Sequence, residues 1–66
     1  MKKYVMTIEF RNYYNDVVET KVEETTDFHQ ALRAFTIYIE HPECRRCIWA
    51  EFYGNKLNRI IGSFQI

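Results

Sequence analysis

Apolar residues recur at three- and four-residue steps between Asp27 and about Glu40, where Phe28, Ala31, Leu32, Phe35 and Ile39 fall on one helical face. This spacing predicts the only helix in the chain. Asp27 is its expected cap, since Asp27 and Gln30 make a D-x-x-Q variant of the capping box; Thr26 is the alternative. Pro42 ends the helix, because its nitrogen cannot donate and its ring pushes the preceding residue out of helical geometry. Ile37 falls opposite Phe28 and is expected to face away from the sheet.

The flanking stretches alternate with period two. From Lys3 to Arg11, Tyr4, Met6, Ile8 and Phe10 point one way and Val5, Thr7, Glu9 and Arg11 the other. Asn12 to Asp16 reads as a hairpin loop, since Asn and Asp bond locally to backbone and tolerate its left-handed form, and Tyr13 and Tyr14 sit at its tip. Val17 to Thr25 is the second strand, with Val18, Thr20 and Val22 on one side and Glu19, Lys21 and Glu23 on the other. Its charges suit a sheet edge, where they discourage pairing with another chain.

Cys47 to Tyr53 and Arg59 to Ile66 read as the third and fourth strands. Gly54-Asn55 is a two-residue turn signal, but such a turn sets Ile48, Ala50 and Phe52 on the face of Arg59 and Ser63. An odd loop, three residues or five, groups them with Ile60, Gly62 and Phe64. One residue of slip swaps faces, so burial favours the odd loop, with Gly62 beneath the helix allowing close backbone approach.

The predicted fold is α+β: residues 1–66 as a single ββαββ domain, one four-stranded sheet with one helix on one face. Two strand orders remain open. Order 2-1-4-3 makes the first and last strands parallel, as in the β-grasp fold, whereas 2-1-3-4 is antiparallel throughout.

A 66-residue domain buries only about 60% of its unfolded surface, so its stability margin is thin. Five Tyr, five Phe and one Trp exceed what a core around one helix holds, so some rings must face water or a partner. Nine basic and nine acidic residues balance, which disfavours both a cationic phosphate-binding domain and an acidic mimic of nucleic acid. No apolar run is long enough to span a membrane, and Lys2-Lys3 leads into a strand pattern rather than a signal-peptide core. Two cysteines in this context suggest a reducing cytoplasm with free thiols.

His41, Cys44 and Cys47 form H-x-x-C-x-x-C, three soft ligands in zinc- or redox-like spacing. A structural zinc needs a fourth ligand, and His29 lies at the opposite helix end; the plainer reading is two reduced cysteines, structural or on the surface. No catalytic grouping stands out, Ser63 has no histidine at a suggestive spacing, and so small a domain has little room for a concave pocket. No cofactor and no catalytic residue is expected.

If the helix covers the face bearing Ile8, Phe10, Ala50 and Phe52, the far face carries Val5, Thr7, Glu19, Lys21, Trp49, Glu51, Tyr53, Arg59 and Ile61. Trp, Tyr and Arg are enriched in binding hot spots because they pair large area with a polar handle. The expected function is a non-enzymatic protein-interaction module, a small cytoplasmic regulator or inhibitor of the kind compact phage or mobile-element chains encode. It would bind a protein partner, or itself as a homodimer, through Val5, Trp49, Glu51, Tyr53, Arg59 and Ile61. The alternative is a single-stranded nucleic-acid binder in which the rings stack bases while Arg11, Arg45, Arg46, Lys56 and Arg59 meet phosphates. Glu9, Glu19, Glu23 and Glu51 on or beside that face oppose it.

Overall fold

A computed structural model describes residues Met1–Ile66. Strand β1 (Lys2–Arg11) and strand β2 (Val17–Thr25) form a hairpin, helix α1 (Phe28–Ile39) follows, and strands β3 (Cys44–Tyr53) and β4 (Lys56–Gln65) form a second hairpin. The sheet order is β2-β1-β3-β4, with every neighbouring pair antiparallel. Of the two orders left open by the sequence, the fully antiparallel one forms, and the parallel β-grasp-like order does not.

Local chemistry accounts for the turns. Asn12 Oδ1 accepts from the backbone N–H of Tyr14 and Asp16, and Asn15 takes the left-handed conformation at φ 67°. Asp27 caps α1 by accepting from His29 N at 2.8 Å and Gln30 N at 3.2 Å. Gln30 does not close the expected box. Its Oε1 accepts from Thr25 Oγ1, while the Asp27 N–H donates to that same hydroxyl.

The β3–β4 connection is the two-residue turn Gly54-Asn55, with Tyr53 paired to Lys56 and Gly54 at φ 57°. The odd loop expected from burial is therefore wrong. The sheet restores its pattern by another route: β4 carries two bulges, one after Leu57 and one before Gly62, each inserting a residue and changing the parity. Ala50 thus pairs with Ile60 and Trp49 with Gly62.

Residues opposite one another in an antiparallel ladder share a face. The helix-side face carries Tyr4, Met6, Ile8 and Phe10 from β1, Cys47 and Trp49 from β3, and Gly62 and Phe64 from β4. Ala31, Ala34, Phe35, Tyr38 and Ile39 of α1 pack onto this layer. The stripe is rotated slightly from the expected one, leaving Leu32 41% exposed. Only 10 of 66 residues are buried, so the core is thin. A Cβ on Gly62 would stand 3.0 Å from the Phe35 ring, so the expected close approach beneath the helix is real.

Candidate functional site

The face of β3 is the reverse of that expected. Trp49 is 3% exposed and lies under the helix, its ring against Tyr4, Phe28 and Phe35. Ile48, Ala50 and Phe52 point to the helix-free side. The physical reason is that β3 is a central strand, apolar on both faces. Either row could have turned inward, and the one with the largest ring and the two thiols did.

This inversion redistributes the sequence-predicted binding residues. Val5 stays on the helix-free face, half-buried. Trp49, Glu51, Tyr53 and Arg59 belong to the helix-side rows, and Ile61 is the bulged residue of β4, packed against the core. Glu19 and Lys21 also lie in helix-side rows, beyond the cover of α1, because they oppose Phe10 and Ile8. These residues do not assemble into one outer surface.

Glu51 is instead the hub of a polar cluster. Its Oε2 accepts from Asn58 Nδ2 at 2.6 Å and Arg59 Nε at 3.0 Å, and Lys2 Nζ lies 3.4 Å from Oε1. Asn58 reaches it because it is the extra residue of the first β4 bulge. The Asn58 hydrogen bond, then Arg59 and Lys2, hold the Glu51 carboxyl below its usual range against the opposing effect of burial. Glu51 in turn raises Lys2. Two hydrogen bonds and one ion pair on a buried carboxylate tie β1, β3 and β4 together, which is a structural role.

The five basic residues of the nucleic-acid alternative are dispersed. Arg11 donates to Glu9 and to Asn15 O, Arg45 donates to Pro42 O, and Arg59 is held by Glu51. Lys56 sits beside the Gly54-Asn55 turn, and Arg46 lies exposed at the Glu9 end of the helix-free face.

His41, Cys44 and Cys47 do not converge. His41 Nδ1 accepts from Glu43 N, Cys44 Sγ donates to Arg46 O at 3.6 Å, and both cysteines are buried and free. Burial pushes both thiols up, Cys47 to about 11. No group of three or more His, Cys, Asp or Glu is placed to hold a metal ion.

A concave site exists despite the small size. A cleft of about 430 Å³ opens between α1 and β2, floored by Tyr4, Met6 and Trp49 and walled by Ala31, Ala34 and Glu23. The small side chains of Ala31 and Ala34 leave the gap. Trp49 Nε1 is buried without a hydrogen-bond partner beside it. No serine, cysteine or histidine lines this space.

The helix-free face is the larger feature, and its rows follow from the register. One row runs Glu24–Val5–Ala50–Ile60 and the next Val22–Thr7–Ile48–Ser63. Lys3–Phe52–Leu57 flanks the first, and Thr20–Glu9–Arg46–Gln65 flanks the second. Val22, Leu57 and Ile60 are at least half exposed, Val22 at 64%. With the half-buried Val5, Ile48 and Phe52 and the buried Ala50 at the centre, these residues form one apolar field across all four strands, with charge at its ends. Ile48, Phe52, Leu57 and Ile60 were missed from sequence; the Gly54-Asn55 dipeptide groups the first three on one face, and only the bulge at Asn58 adds Ile60. At the far end of the β1–β2 hairpin, Tyr13 and Tyr14 stand 95% and 80% exposed, ring to ring at 5.7 Å.

No known protein family, curated protein or solved structure matches the chain. No helix is long and apolar enough to cross a membrane.

Proposed function

We propose that the chain is a non-enzymatic protein-interaction module, a small regulator or inhibitor that works by docking a protein on the helix-free face of its sheet. One observation carries this reading: an apolar field crosses all four strands, and no element of the fold covers it. Contiguous exposed apolar surface rimmed by polar groups marks interaction sites in water-soluble chains. The matching partner presents an apolar centre with charges of both signs around it, because Glu9, Arg11 and Arg46 close one end and Lys3 and Glu24 the other. Two buried thiols fit work in a reducing cytoplasm.

The test is affinity capture from cells with three baits: the unmodified chain, Val22→Lys with Ile60→Lys, and Tyr13→Ala with Tyr14→Ala. Circular dichroism must first show that all three are folded. Binding lost only with the sheet-face variant supports the reading. Binding lost only with the hairpin-tip variant, or retained by all three, overturns it.

A further inference from the structure

The partner follows from the symmetry of the charges, given the docking reading above. We infer that the helix-free face binds a second copy of this chain, two sheets packing face to face about a two-fold axis parallel to the strands.

Such an axis keeps every row at its height while exchanging β1 with β3 and β2 with β4. In the row Thr20–Glu9–Arg46–Gln65, Glu9 of β1 then lies opposite the second copy's Arg46, and Arg46 opposite the second copy's Glu9. Two opposite-charge contacts form from one pair of positions. In the next rows Thr7 meets Ile48 and Val5 meets Ala50, so the apolar centre stacks on itself. The Lys3–Glu24 ion pair, 3.7 Å apart, stays at the corner, which the ordinary angle of about 30° between packed sheets carries toward solvent.

Three further observations favour a second copy. Zero formal charge means that copies do not repel at long range. Four strands at about 4.8 Å spacing and nine or ten residues at about 3.3 Å rise make a flat footprint on the order of 600 Å². Side-chain relief raises this toward the ~800 Å² per partner of a standard stable interface. The sheet edges are poor competitors, since β4 is broken by two bulges and β2 carries Glu19, Lys21, Glu23 and Glu24.

Charge reversal tests the arrangement. The unmodified chain should sediment as a dimer, while Glu9→Lys and Arg46→Glu each place like charges across the interface and raise the dimer dissociation constant about tenfold or more. Mixing the two single variants makes a heterodimer in which both contacts are again opposite in sign, so dimer should return in the mixture. A defect confined to contacts within one chain, the Glu9–Arg11 ion pair included, cannot be rescued by mixing. Mixing without recovery overturns the proposal, as does an unmodified chain that sediments as a monomer. If either single variant fails to fold, Thr7→Arg at the centre of the face serves instead, and a persistent dimer there is equally fatal. A monomer whose captured partner is still lost with Val22→Lys and Ile60→Lys removes the second copy but leaves the docking reading standing.

Discussion

Cys47 sits against the sheet's inner layer with no exposed surface, and its thiol holds its proton until about pH 11. The same thiol in the unfolded chain ionises near pH 9. Between those values the unfolded state binds fewer protons than the native one, so stability is whole below pH 9 and falls as pH rises through 11. Tyr38 adds to the decline from pH 10 upward, because its hydroxyl donates to Glu23 at 2.6 Å and is pushed up to about 12. Thermal melts across this range should show a steadily falling midpoint, and Cys47→Ala should make the fall shallower. An unchanged slope in that variant would show that the thiol plays no part. Of the two places the sequence left open for these cysteines, structural or surface, the burial selects the first. Sequence alternation alone would not have grouped them, because Cys44 joins the row of Cys47 and Trp49 only through the bulge opposite Glu9 and Phe10.

The contact between α1 and β4 rests on the absence of a side chain at Gly62, which brings the Phe35 ring down onto the strand. Gly62→Val should overpack this point and cost about 1–3 kcal/mol in urea unfolding. Phe35→Leu in that background should return part of the loss, a non-additivity expected of touching residues. Strict additivity would mean that the two do not share space. The helix, its cap and the alternation of β1 were legible because each is set by neighbours within a few residues, whereas Gly62 reaches its expected place beneath the helix by bulges rather than by the odd loop. The faces of β3 and β4 were not legible. Both rows of β3 are apolar, and two bulges in β4 change the parity of a strand whose periodicity is the only evidence of its face. The dipeptide Gly54-Asn55 stated the turn correctly, and burial arithmetic without bulges overruled it.

At the scale of the molecule, a thin inner core and an uncovered outer field belong to one economy of design. A chain of this length has one helix for a two-sided sheet, so the second side is left bare, and the association proposed above would both cover it and add stability through mass action. The surface legible from sequence was therefore right in kind and mistaken in membership: a helix-free apolar face exists, but Phe52 and Ile60 occupy it in place of Trp49 and Ile61. The strand order carries one more consequence. Residues 1–40 and 44–66 meet along the β1–β3 seam and where α1 roofs Trp49 and Gly62. The two fragments, made separately and combined, should reassemble, and the indole emission of the second should shift to the blue as Phe28 and Phe35 of the first close over it. Emission indifferent to the added fragment would mean that the halves need a continuous chain to find each other.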